Sequence, residues 1–212
     1  DADRMELVTE IQSELKRLNR LINDISSTSR LDAELARQHM ETVDVRGVLE
    51  SINSLFTDML ADDNRTIALI IDPAPPSSYK VRGNDGRLGQ VFTNLIDNAL
   101  SFSPEGGKIT VRARPNGSKI EITIEDEGPG IPPDKLGQIF DRFYSDRPQT
   151  DAKRGKNSGL GLSISREIVV SHHGEIFAEN RPQNGSAIMS GARFTVRLPL
   201  IANVGDGLAR RS

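Results

Sequence analysis

Lys108–Arg114 and Lys119–Asp126 alternate apolar and polar residues on either side of Asn116-Gly117. That dipeptide between two alternating runs is the strongest short-range signal for a β-hairpin. It commits the middle of the chain to antiparallel strands with one apolar face, which another layer must cover. Helical patterns on both sides can supply that layer. Asp44 can N-cap a helix reaching about Ala61, whose apolar face holds Val45, Val48, Leu49, Ile52, Leu55, Phe56 and Met59. A second helix runs from Asn84 or Asp85 to about Phe102, and a third from about Leu160 to His172, ending at Gly174. Thr66–Ile71, the short Tyr79–Arg82, Glu175–Glu179 and Ala192–Leu198 read as the remaining strands. Helices segregate from mostly antiparallel strands, so the expected class is α+β, a two-layer α/β sandwich.

The rest of the chain is patterned differently. Val8, Ile11, Leu15, Leu18, Ile22 and Ile25 follow the 3-4 spacing of a coiled-coil seam, and no Gly or Pro occurs before Gly47. A long helix over about Asp3–Arg37 is expected, and one apolar stripe on one helix needs partner helices. The expected organisation is therefore a heptad helix over 1–37, a polar connector over 38–44, a globular domain over 45–200 and a tail over 201–212. With 27 Lys plus Arg against 30 Asp plus Glu, the formal charge is −3. That balance excludes a protein held on nucleic acid or an anionic membrane by bulk charge. No cysteine is present, so disulfides, thiolate nucleophiles and cysteine-ligated metals are excluded. No apolar run approaches the roughly 20 residues of a membrane helix. The chain starts at Asp1, which reads as the start of an excised fragment, with any membrane segment outside it.

Three short constellations carry chemistry. Asn94 and Asn98, within Asn94-Leu95-Ile96-Asp97-Asn98-Ala99, share one face of the second helix. Two neutral carboxamide oxygens there can hold a hard cation bridging phosphates, although Asn pairs are also common structural features. Asp126-Glu127-Gly128-Pro129-Gly130 follows a strand directly. A carboxylate at a strand end can accept a hydrogen bond from an exocyclic amine such as that of adenine, and the glycines admit a flat ligand. The same residues also make plain turns. Gly155-Lys156-Asn157-Ser158-Gly159-Leu160-Gly161-Leu162 runs into the third helix, where free backbone amides and the helix dipole form an anion site. The segment before it carries Arg142, Arg147, Lys153, Arg154 and Lys156 against Asp141, Asp146 and Asp151, which suits polyphosphate or simply a solvated loop.

In order, the three constellations resemble the N, G1 and G2 boxes of the GHKL superfamily of ATP-binding domains. Ile139-Phe140-Asp141-Arg142-Phe143-Tyr144 between them resembles the F box of sensor histidine kinases. The likeness covers about 44–200. Leu18–Leu35, Arg147-Pro148 and Asn157–Ser163 are most similar to the alphaproteobacterial ChvG/ExoS type. The resemblance implies a Bergerat-type sandwich that binds ATP and Mg²⁺. Asn98, and with it Asn94, would meet the Mg²⁺–triphosphate, Asp126 the adenine amine, and Gly159 and Gly161 the phosphates. Ser101, Gly128, Gly130, Ile131, Arg142, Phe143, Tyr144, Lys156, Asn157, Ser158, Leu160 and Leu162 would complete the binding surface, and about 127–158 would form an ATP lid with one helical turn near Asp134–Ile139. The opening helix would be the second helix of a dimerisation and phosphoacceptor hairpin. Expected partners are a second copy through that helix and a response regulator. No nucleic acid is expected, and membrane contact only through segments outside the chain. The expected location is the cytoplasmic portion of a bacterial inner-membrane protein.

Two departures qualify the resemblance. Ser101 stands where many members carry Lys three residues after the second Asn. The phosphoacceptor box His-Glu-x-x-x-Pro is absent, and His39, His172 and His173 lie in unsuitable contexts, the last two ending a helix where a cation would complement the dipole. The γ-phosphoryl acceptor is therefore expected outside this chain. The competing readings are a GHKL ATPase or serine kinase, and a nucleotide-binding dimerisation module without transfer. ATPases and serine kinases of this fold place a Glu general base where Asn94 stands, which favours the histidine kinase.

Overall fold

The computed structural model describes residues 40–142, 144, 159–182 and 189–201. The expected heptad helix and the tail beyond Ile201 lie outside these residues, as do His39, Phe143, Lys156, Asn157 and Ser158. The elements run β1 (Glu41–Asp44), α1 (Val45–Met59), β2 (Thr66–Ile71), a 3₁₀ turn (Pro76–Tyr79), β3 (Lys80–Gly83), α2 (Asp85–Phe102), β4 (Lys108–Asn116), β5 (Lys119–Glu125), α3 (Gly161–Ser171), β6 (Glu175–Pro182) and β7 (Met189–Pro199). A five-stranded sheet has the order β2-β4-β5-β7-β6, parallel only between β2 and β4. The two-stranded sheet β1-β3 is antiparallel and touches the end of β7 through a Val81–Leu200 bridge. Glu41–Asp44, expected as connector, is thus a strand.

Local chemistry sets most boundaries. The Asp44 carboxylate accepts from the Arg46 amide at 3.1 Å and the Asn84 side chain from the Arg87 amide at 3.0 Å, so both α1 and α2 start on a side-chain cap. α2 stops at Ser103, where the following Pro104 forces extended backbone (ψ 139°). The hairpin forms as expected but is shifted by one residue. Asn116 pairs with Lys119, so Gly117 (φ 62°) and Ser118 make the turn, with glycine in the first central place as in type II′.

The helix layer and the inner face of the sheet share one core. Leu49, Ile52 and Phe56 of α1, Leu88, Phe92, Leu95 and Ile96 of α2, and Ile164, Ile168 and Val169 of α3 pack with Ile109, Ile122, Ile124, Phe194 and Val196. Each such side chain contributes about 1.5–3 kcal/mol on burial. Leu55 and Met59, read from sequence as part of the α1 apolar face, are instead exposed. The outer sheet face is held by cross-strand ion pairs, with Glu121 between Arg114 (2.5 Å) and Arg197 (2.8 Å), and Arg193 between Glu125 (2.7 Å) and Glu179 (2.9 Å).

At the end of α3 the residue in the left-handed region is His173 (φ 57°), not the glycine after it. The amides of His173 and Gly174 return to the carbonyls of Val170 and Val169, each at 2.9 Å, closing the helix as a Schellman motif. Gly174 is needed for another reason: a Cβ there would lie 2.6 Å from the Arg197 carbonyl oxygen. His172 is buried. Its Nδ1 is 2.7 Å from the Ile168 carbonyl and its Nε2 accepts from the Asn84 amide at 3.0 Å. Both ring nitrogens are used by the neutral form, and burial pushes the imidazole below its ordinary pKa. The expected dipole-stabilising cation is therefore a neutral structural residue at His172.

Candidate functional site

β5 delivers Asp126 to the end of the sheet, buried between strands β5 and β7. One carboxylate oxygen, Oδ1, accepts from the Gly128 amide at 2.9 Å and the Ala192 amide at 3.0 Å. Among the described residues Oδ2 has no recorded donor. Burial raises the pKa of this carboxyl, while the two amides and the nearby Arg181 oppose the rise. Around Asp126 the backbone is fitted to contact. A Cβ on Gly128 would lie 2.8 Å from the Phe102 carbonyl oxygen, and one on Gly191 (φ 88°) would overlap the carbonyl oxygen of Asp126 itself.

Across the site, α2 presents Asn94 and Asn98 with Leu95 and Ile96 buried behind them. The Asn94 amide nitrogen donates to the Gly161 carbonyl at 3.3 Å and to the Ser165 hydroxyl at 3.4 Å, joining α2 to the first turn of α3. The Asn98 carboxamide has no recorded partner among the described residues. Ser101, in the place of the family lysine, turns its hydroxyl back to the Asn98 carbonyl at 2.8 Å. α3 starts without a side-chain cap. Its first helical bond within the described residues runs from the Ile164 amide to the Leu160 carbonyl, leaving the Gly161, Leu162 and Ser163 amides as the helix's unpaired N-terminal donors. Gly159 precedes them with φ 72°. The described residues contain no group of three His, Asp or Glu able to hold a metal alone.

The described part of the segment between these two regions, 127–142 and 144, is less open than its sequence implies. Asp134–Ile139 does make a helical turn, with the Ile139 amide bonded to the Lys135 carbonyl at 3.1 Å. Ile139 and Phe140 are buried, and Phe140 meets Phe194 edge-on at 6.4 Å between centroids. Tyr144 packs against the core. Arg142, expected at the phosphates, pairs with Glu167 of α3 at 2.6 Å. Sequence reasoning missed Asn180, Arg181, Ser165, Gly191 and Ala192. Asn180 binds both backbone groups of Ile131, and Arg181 donates to the Asp126 carbonyl at 3.0 Å. Nothing in the sequence separates Asn180-Arg181-Pro182 from an ordinary strand end.

A mixed sheet backed by helices, a buried strand-end carboxylate and two Asn on one helix give this fold the layout of a GHKL-type ATP-binding domain. The family profile of histidine kinase-, DNA gyrase B-, and HSP90-like ATPases matches residues 83–202, and the chain belongs to that family. Its relatives are sensor histidine kinases. It is 41% identical over 204 residues to the sensor protein ChvG of Agrobacterium fabrum, covering 94% of this chain and 34% of ChvG. The chain thus spans about a third of the length of that curated relative. Among solved structures, full-length ShkA in complex with AMPPNP superposes with TM-score 0.72 at 26% identity, covering 96% of this chain and 40% of ShkA. The mycobacterial sensor histidine kinase MprB gives TM-score 0.63 at 27% identity, covering 77% of this chain and 99% of that structure. Among the described residues no helix is long and apolar enough to cross a membrane.

Proposed function

We propose that this chain is the ATP-binding half of a sensor histidine kinase, delivering the γ-phosphoryl of ATP to a histidine held outside these residues. From there the phosphoryl passes to an aspartate of a response regulator. The observation that carries the reading is the division of labour on Asp126: Oδ1 is occupied by two backbone amides and Oδ2 is left as the acceptor for an exocyclic amine. An adenine amine donates there, with Gly128 and Gly130 providing flat backbone beside it.

The donor set also fits Mg²⁺. With its amide nitrogen engaged by Gly161 and Ser165, Asn94 is left with an oxygen for a hard cation, and Asn98 has its whole carboxamide. Two neutral oxygens suit a cation whose charge is already balanced by the triphosphate. When bound, Mg²⁺ would neutralise charge on the transferring phosphoryl group. The amides of Gly161, Leu162 and Ser163, with the α3 dipole, receive phosphate oxygens. Phosphoryl transfer is then mostly positioning and charge stabilisation.

Asn94 also speaks against hydrolysis or serine phosphorylation as the main activity. A carboxylate in its place could not donate to the Gly161 carbonyl, and the nearby Asp97 is exposed off this face. Without a general base, water or a serine hydroxyl is a poor nucleophile, whereas a neutral imidazole needs little activation. His172 cannot be the acceptor because both its ring nitrogens are bonded in the core. The full protein would act as a dimer on the cytoplasmic side of a membrane.

Radiolabelled ATP with Mg²⁺ tests the assignment. The chain alone should bind ATP yet remain unlabelled. A longer protein carrying a phosphoacceptor helix should gain acid-labile, alkali-stable label. Stable labelling of His39, His172 or His173 would overturn the separation of donor and acceptor.

A further inference from the structure

Neighbouring residues in a strand point to opposite faces, and Asn180 and Arg181 at the end of β6 reach opposite ends of the turn that follows Asp126. An irregularity in the sheet lies beside them. Asn180 pairs with Ala192 and Pro182 with Met189, so two residues of β7, Ser190 and Gly191, face Arg181 alone. That is the two-against-one pattern of a β-bulge, with Gly191 in the left-handed region (φ 88°).

Asn180 uses its whole carboxamide on one residue. Its Oδ1 accepts from the Ile131 amide and its Nδ2 donates to the Ile131 carbonyl, each at 2.6 Å. Gly130, just before, has φ 80°, and a Cβ there would lie 2.8 Å from the same Asn180 oxygen. Arg181 holds the other end, donating from Nη1 to the Asp126 carbonyl at 3.0 Å while its Nε lies 3.1 Å from Glu125 Oε2. The glycine turn between Asp126 and Ile131 is thus tied at both ends to one strand terminus. An Asp-Glu-Gly-Pro-Gly segment left untied would sample many conformations, and a ligand lying on it would bear the cost of ordering it.

We propose that Asn180 is a positioning residue for nucleotide: it acts through Ile131 and Gly130 to hold the backbone of the base pocket in its binding conformation before ligand arrives. The inference rests on the ATP-binding reading above. Specificity for the base is then set partly by a residue far along the chain from the Gly-rich segment it controls, and without touching the nucleotide.

Titration calorimetry with Mg²⁺–ATP, set beside the thermal midpoint of each variant, decides the matter. Asn180→Ala should weaken Mg²⁺–ATP binding roughly tenfold, the equivalent of one to two net hydrogen bonds lost to pre-organisation, while the midpoint moves little. Asn180→Ser, which can restore one of the two bonds, should recover part of the affinity. If the Ala variant fails to fold, the Ser variant decides by the same comparison, with an expected loss of about threefold. Affinity equal to the parent chain in a folded variant would overturn the proposal. So would a loss of affinity that merely follows a collapse of the thermal midpoint, since that marks a structural role. Failure of the parent chain itself to bind Mg²⁺–ATP would instead overturn the functional reading beneath it, and is distinguishable because no variant is needed to see it.

Discussion

The two ends of the candidate site are built in opposite ways. At the base end, the Gly128, Ile131 and Ala192 amides all have side-chain acceptors, at 2.9, 2.6 and 3.0 Å. At the phosphate end, α3 begins with three amides lacking helical partners and no side-chain cap, and the polar contacts of Asn94 to its first turn are long, at 3.3 and 3.4 Å. A neutral, flat base is best met by a surface already in place, because its weak polar contacts cannot meet the cost of ordering a loop. A triphosphate with its cation carries enough charge to organise its own surroundings, so donors left unpaired there await their ligand. The difference predicts which substitutions act on stability, which on affinity, and which on neither.

The greatest effect belongs to the base end. Gly191→Ala would drive a Cβ into the Asp126 carbonyl at a backbone angle (φ 88°) that disfavours any side chain. It should cost about 2–3 kcal/mol of stability, read by urea denaturation, together with most nucleotide affinity. Asp126→Asn should leave stability nearly unchanged, because an amide oxygen can still accept from Gly128 and Ala192. It places a donor opposite the adenine amine, and should cost about 1–3 kcal/mol of Mg²⁺–ATP binding by calorimetry. Asn98→Ala, at the phosphate end, should weaken binding only when Mg²⁺ is present. Equal loss with and without Mg²⁺ would refute its assignment as a cation ligand.

The smallest effect is remote from both ends. His172 has a native pKa depressed chiefly by burial, with His173 adding to the depression, so the unfolded chain binds its proton more readily. Its contribution to stability is therefore complete above about pH 6.5 and is lost as pH falls below that value toward the lower native pKa. Chemical denaturation between pH 7.5 and 5.5 should show this decline, and His172→Leu, though less stable throughout, should show a shallower one. An unchanged slope in that variant would mean other groups govern the decline.

What could be read from sequence was local. The hairpin, the caps at Asp44 and Asn84 and the Gly-rich start of α3 are each encoded within a few residues, and only the turn slipped, by one position. β1 escaped because a four-residue strand shows no period and its partner β3 lies far along the chain. Asp126 was legible as an acceptor, but its dependence on Ala192 and the bulge at Gly191 was not. The Asn180–Ile131 clamp spans 49 positions, and an Asn before Arg-Pro looks like any strand end. The buried Phe140–Phe194 contact likewise anchors a segment whose glycines, prolines and charges gave no hint of it. Pairings set by tertiary contact leave no periodic trace, and these are what tie down one end of the site.

Hydrogen exchange resolved to single amides, with and without a non-hydrolysable ATP analogue and Mg²⁺, addresses the contrast between the two ends most directly. The amides of Gly128, Ile131 and Ala192 should be protected before nucleotide is added and change little afterwards. Those of Gly161, Leu162 and Ser163 should exchange fast in the free chain and become protected on binding. Fast exchange at Gly128 and Ile131 in the free chain, or slow exchange at Gly161–Ser163 that nucleotide leaves unaltered, would contradict a pre-built base pocket facing a ligand-ordered phosphate site.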